Sequence, residues 1–293
     1  MSIHTNVGHL VAVSVMGQIA EPGFPGLPAS PYLLTAEGKP FLLPMFGGIV
    51  YNVSVGDSAY GWLADTIHPS VSIKLNDDIG NRGLNIYACV GNTATVMTGD
   101  AKGEHGVVTG KSGRFSEHVI VHFPLAVRQR MAIGDKIVVR AHGVGMALPD
   151  YPDVQFKGCS PALFDALGAS AGEDGKLCVP VTAVVPPHLL GAGAGLTSEG
   201  GSIHIQTTDK AALVEHGLDQ LRLGDIVALH DYDSRWNHGY LRGAVGIGVI
   251  GQGDSPRNGY GPGVSMLMTA AVSAIEAVVT PHINLKSLLN LPD

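Results

Sequence analysis

The chain has 293 residues, a formal net charge of −7, 45% hydrophobic and 15% charged residues, which excludes a disordered chain and leaves room for one large or two ordinary domains. Its 18 lysines and arginines form no cluster, so a nucleic-acid partner is not expected. No run of about 18 apolar residues is free of charge and the first ten residues, MSIHTNVGHL, carry no cationic leader, so neither a membrane span nor export is expected and the cytoplasm is the default.

In chain order, HLVAVSVMGQI, GGIVYNVSV, SVSIKL, LNIYACVG, EHVIVHF and DKIVVRAHG are short, β-branched and bounded by Gly, Pro or Asp, which predicts strands. SPALFDALGA then reads as a helix, with Ser160 as cap and Pro161 in the first turn. LCVPVTAVV and GSIHIQT return to strand. DKAALVEHGLDQL reads as a helix opening at Asp209 and stopping at Gly217. DIVALHDYD and AVGIGVIGQG are further strands, and the tail TPHINLKSLLNL holds one short helix. The predicted class is mainly β, barrel- or sandwich-like, with a few peripheral helices and two intimately packed subdomains. The connector FKGCSPALFDALGASAGEDGK divides an N-terminal β domain, residues 1–160, from a C-terminal β-rich domain, residues 161–293. High apolar content with low charge predicts a homo-oligomer.

One pattern repeats: MAIGDKIVVRAHG from Met131, LRLGDIVALHDYD from Leu221 and, more weakly, VSVGDSAYGW. Either a barrel reuses one tight polar turn, or a barrel motif is duplicated, one copy per half.

Cofactor loops are absent from the glycine-rich segments. HGVVTGKS is one residue short of a phosphate-binding loop, GAGAGL lacks dinucleotide spacing, and no GxSxG elbow occurs. Cys89, Cys159 and Cys178 make neither a disulfide framework nor a metal knuckle. Cys89 is either a nucleophile or buried packing.

Three polar constellations remain. In ALHDYDSRWNHGYLRG, strand alternation puts Asp231 and Asp233 on one face, where two carboxylates call for a cation, Arg235 or unequal protonation; the plainer reading is a solvated strand end. His238 follows at a spacing that matches no strong ligand motif. GWLADTIHPSVSI offers Asp65 and His68, a carboxylate that can orient an imidazole. GDAKGEHGVVTGKSGRFSEHVIV supplies Gly103, Glu104 and Lys111 among glycines able to turn N–H groups toward an anion, just after Asn92. Finally GQGDSPRNGYGPG, residues 251–263, has five glycines and two prolines yet also Asp254, Arg257 and Tyr260. That mixture predicts a shaped loop that, with Asp231 and Asp233, lines a pocket.

These motifs, with GGIVYNVSVGDSAYGW, GNTATVMTGDAKGEHGVVTGK and DYPDV in the same order, resemble the domain-of-unknown-function 4438 family from about residue 40 to about residue 280. The resemblance implies a two-part, mostly β protein. It also implies histidines at the slots of Gln252 and Tyr260, a departure that either weakens the case for a divalent metal or moves it toward Asp65, His68, Asp231 and Asp233. More distantly, the texture is similar to acetamidase/formamidase enzymes, which implies cleavage of a C–N bond in a small or cyclic amide. On that expectation Asp65, His68 and Asp231 bind a metal or activate water, Asp254 or Glu104 transfers protons, and Lys111, Arg257, Tyr260, Gly103 and Asn92 hold the substrate. The alternatives are a cofactor-free lyase or isomerase acting on a small carboxylate, and a small-ligand binding protein without turnover.

Overall fold

The computed structural model describes residues 3–24, 30–113, 117–195, 199–237, 239–271 and 274–293. His238 lies outside the described residues. Six strands close into an antiparallel barrel: β1 (Val13–Ile19), β2 (Val71–Lys74), β3 (Thr93–Val96), β4 (His105–Ser112), β5 (His118–His122) and β6 (Lys136–Ala141), in the order β1-β2-β5-β4-β3-β6 and back to β1. Closure leaves no free edge. Alternation fills the interior with Val71, Ile73, Ala94, Val96, Val119, Val121, Ile137 and Val139. All five residues of β5 are buried, so its outward face, His118 and His122 included, is covered as well.

The barrel packs against a second, mixed sheet. β7 (Val154–Phe156) is followed by β8 (Leu177–Val181), β9 (Ala183–Val185), β10 (Ile203–His204), β11 (Ile226–Asp233), β12 (Gly239–Gln252), β13 (Gly263–Ala270) and β14 (Ile275–Val279). The order is β9-β11-β12-β13-β10, with β7 also on β13, while β8 pairs with β14 in a smaller sheet. The class is mainly β, and the two halves are interlocked: β7, which precedes residue 160, belongs to the C-terminal sheet. The halves dock closely where β4 meets β12 and β13. A Cβ on Gly110 would stand 3.2 Å from the Cα of Gly251, so a side chain there would have to push the facing backbone back by a few tenths of an ångström. The Ser265 hydroxyl beside it accepts from the Lys111 N–H at 2.8 Å and donates to the Lys111 carbonyl at 2.9 Å.

The helices follow the cap logic. α1 spans Asp78–Tyr87, α2 Leu125–Arg128, α3 Pro161–Leu167, α4 Lys210–Glu215 and α5 Leu285–Leu288. Ser160 accepts from the Leu163 N–H at 3.1 Å and Gly168 ends α3 in the left-handed region, while Asp209 accepts from Ala212 at 3.0 Å to open α4. Among the described residues no helix is long and apolar enough to cross a membrane.

Two segment readings are corrected. LNIYACVG is not a strand: residues 84–87 finish α1, which Asp77 caps through the Gly80 N–H and which buries Leu84 against the barrel. GGIVYNVSV is a wrapping loop rather than a strand, tied to the barrel by single bridges such as Ile49 to Val71. The repeated Gly-Asp pattern is one turn used three times. Asp57, Asp135 and Asp225 each accept, through Oδ2, the N–H of the residue three earlier, at 2.8, 2.9 and 2.7 Å. The glycines before them, Gly56, Gly134 and Gly224, have φ of 97°, 89° and 91°, so the repeat is structural turn chemistry.

Candidate functional site

The two halves enclose a cavity of about 400 Å³. Its barrel-side wall comes from Phe46 and Thr66, in the loop before β2, and from Ser112, Gly113 and Glu117 between β4 and β5. Facing them are residues 192–194, Ser202 and His204 at β10, Gln252 at the end of β12, and Arg257 and Tyr260 in the loop that follows. The size and the mixture of apolar walls with a few polar groups suit a small organic ligand.

Arg257 is held on two sides. Its Nε stands 2.8 Å from Oδ2 of the fully buried Asp65, and Nη2 donates to Oδ1 at 3.3 Å. The Nε hydrogen points off-axis, so the contact is ionic rather than a parallel fork. The guanidinium carbon also lies 4.0 Å from the Tyr260 ring centroid, within cation–π range. Nη1 takes no partner among the described residues. Thr66, next to Asp65, has φ of 51°, a conformation β-branched residues avoid. It is held there by its N–H on the Asp254 carbonyl at 2.9 Å and its hydroxyl on the Asp65 carbonyl at 2.8 Å. Strain of about 1–3 kcal/mol, held by surrounding bonds, is a feature of binding and catalytic sites.

Behind the wall runs a chain of polar groups. Ser202 donates to Oε1 of Gln252 at 2.8 Å, Nε2 of Gln252 lies 3.0 Å from Nε2 of His68, and Nδ1 of His68 lies 2.7 Å from the Ser72 hydroxyl. Nδ1 also receives the Gly47 N–H at 3.4 Å, so both nitrogens of His68 are engaged. Complete burial holds the His68 pKa well below the usual imidazole range, and the neighbouring His118 and His204 press in the same direction. His118 packs edge-on to His68 at 5.5 Å between ring centroids, neither of its nitrogens has a hydrogen-bond partner among the described residues, and burial holds its pKa near 4.

His204 is the free base of the site. Its Nδ1 lies 2.7 Å from the Gly261 carbonyl, which can only accept, so Nδ1 carries the proton and Nε2 presents its lone pair. Nε2 takes no partner among the described residues. Burial lowers the pKa of His204 to about 4, against a smaller upward pull from the Gly261 bond.

The structure divides the residues expected from the sequence. Arg257 and Tyr260 line the cavity. Asp65 and His68 lie directly behind it, but neither is placed as a catalytic or metal-binding group: Asp65 is committed to Arg257, and both nitrogens of His68 are engaged. Asp254 anchors the loop, with Oδ1 accepting from Thr207 and from the Ser255 N–H, both at 2.8 Å, and burial raises its pKa. It is not among the lining residues.

Glu104 and Gly103 sit at the far end of β4, about 25 Å of strand from Ser112. There Glu104 pairs with Arg130, and the Gly103 N–H is spent on the Val96 carbonyl, so no oxyanion pocket forms. Lys111 points its ammonium at the Glu199 carbonyl at 2.7 Å, and burial lowers its pKa. Asn92 clamps the backbone of Cys89 and His142.

Asp231 and Asp233 are at the wrong end of β11. His230 pairs with Val245, seven residues, or about 23 Å, along β12 from Gln252. The expected alternation also fails there, because a bulge follows His230 and Asp231 takes φ of 54°. Asp231 accepts from the Gly243 N–H and Asp233 pairs with Arg235. The four residues expected to hold a divalent ion therefore do not fit one, and among the described residues no three His, Cys, Asp or Glu side chains converge on a metal position.

Sequence reasoning passed over His204, Ser202, Thr66 and Glu117. His204 left a trace, an imidazole between Ile203 and Ile205 in an otherwise apolar strand.

Comparison with solved structures finds the crystal structure of TM1086, 40% identical, with a TM-score of 0.91, covering 98% of this chain and 99% of that one. No curated protein matches. Two family models match in tandem, the N-terminal domain of unknown function DUF4438 over residues 32–165 and its C-terminal counterpart over residues 166–289. With nearly its whole length matched by the two models, the chain belongs to the DUF4438 family.

Proposed function

We propose that the cavity is the active site of an enzyme that moves a proton on a small carboxylate, in the manner of a cofactor-free lyase or isomerase. The observation that carries this reading is Arg257, braced by buried Asp65 and by the Tyr260 ring, in the same cavity as the open Nε2 of His204. A guanidinium fixed on two sides offers its remaining N–H bonds to an anion at little entropic cost. His204 stays neutral in the unliganded cavity. An arriving carboxylate favours the imidazolium, so the base strengthens as substrate binds. Ser202 and Gln252, aligned by His68 and Ser72, supply a fixed polar contact to the rest of the ligand. Hydrolysis of a C–N bond takes second place, because its water-activating set of Asp65, His68 and Asp231 is not assembled around one point.

The test is proton exchange in deuterium oxide. Linear acids of two to six carbons are incubated with the protein and followed by NMR at the carbon next to the carboxylate. Exchange or conversion should appear for at least one acid, vanish in His204→Gln, and need higher ligand concentration in Arg257→Gln. Binding without exchange would identify a ligand-binding protein instead. Binding indifferent to Arg257→Gln would overturn the reading.

A further inference from the structure

We propose that the ligand of this cavity is a zwitterion, a small molecule bearing an ammonium group as well as the carboxylate held by Arg257, with Glu117 receiving the ammonium. This rests on the reading of Arg257 given above and adds the second half of the molecule.

Glu117 lines the cavity from the barrel side, across from the loop that carries Arg257. Its backbone is fixed: the N–H donates to the Ser112 carbonyl at 3.2 Å and the carbonyl accepts from Nδ2 of Asn81 at 3.2 Å. Its side chain lies across Gly113, where an added Cβ would come within 2.6 Å of the Glu117 Cβ and Cγ. Gly113 has φ of 102°, so two independent reasons require glycine there. The carboxylate so placed has neither an ion-pair nor a hydrogen-bond partner among the described residues.

Charge balance then decides the ligand. The charge of Arg257 is already matched by Asp65, which leaves Glu117, among the described residues, as the uncompensated charge on the wall. A plain carboxylate would bring a second negative charge into a partly desolvated space, at substantial cost. An ammonium against Glu117 offsets that cost, and the spare N–H bonds of Arg257 take the carboxylate. A cavity of about 400 Å³ holds both ends of an amino acid.

The experiment is calorimetric titration of matched pairs, the same linear acids of two to six carbons with and without one amino group. Wild type should bind at least one amino acid about tenfold more tightly than its parent acid, equivalent to about 1.4 kcal/mol. Glu117→Gln should reduce that preference to less than about twofold and leave parent-acid binding equal or tighter, with an unchanged melting temperature; Glu117→Ala repeats the test by truncation. Parent acids that bind through Arg257 with no amino preference, or a preference that survives both Glu117 variants, would overturn the zwitterion and leave the carboxylate reading standing. Failure of every acid to bind would overturn both.

Discussion

Acidification should loosen the protein before its carboxylates protonate, because His118 and His204 are buried neutral. Each has a folded-state pKa near 4, against about 6.5 in an unfolded chain. A depressed imidazole pKa means that the unfolded chain binds more protons between these values. The stability each neutral ring contributes is therefore complete above about pH 6.5 and is lost as pH falls toward 4. At pH 5 the loss is about 2 kcal/mol for each ring, or about 4 kcal/mol together, a large share of the 5–15 kcal/mol available to a typical domain. Asp254, whose pKa is raised by burial, acts with the opposite sign. Urea unfolding at pH 8, 6.5 and 5 measures the effect. His118→Leu should flatten about half of the slope at little cost at pH 8, since neither ring nitrogen makes a hydrogen bond among the described residues. Stability that is level from pH 8 to pH 5, or an unaltered slope in His118→Leu, would refute the reasoning.

The remaining predictions concern the loop and the strand ends. Gly261→Ala places a Cβ 2.0 Å from the Ile205 carbonyl oxygen; it should cost about 1–3 kcal/mol in thermal unfolding and weaken ligand binding by displacing Tyr260. Gln252→Leu removes the groups that satisfy Ser202 and His68, and should cost about 1–3 kcal/mol; equal stability would show that the polar chain is not formed. Asp231→Ala and Asp233→Ala, at the other end of β11, should leave binding in the cavity within a factor of two by titration calorimetry.

Local signals in the sequence are read correctly where neighbouring residues decide the outcome. The caps at Ser160 and Asp209 and the Gly-Asp turns depend on bonds spanning three residues, and each carries its own composition signature. α1 hides its signature, because Gly80 and Gly83 lower helix propensity and its support is the Asp77 cap and one leucine packed on the barrel. The same divide separates the site residues. Arg257 and Tyr260 share one loop whose glycines and prolines mark it as shaped. Asp231 and Asp233 are close to that loop in sequence texture but are separated from it by antiparallel pairing with β12, which sends the two ends of the hairpin apart. No local pattern could bring Glu117 of the barrel to face a loop some 140 residues later.

The most direct test of the central claim is a crystal structure of the protein with the tightest-binding acid from the titrations. The ligand carboxylate should lie within about 3.2 Å of the Arg257 guanidinium, with a polar group or an acidic C–H facing Nε2 of His204. A carboxylate bound elsewhere, with the Asp65–Arg257 pair and the cavity unchanged, would contradict the account.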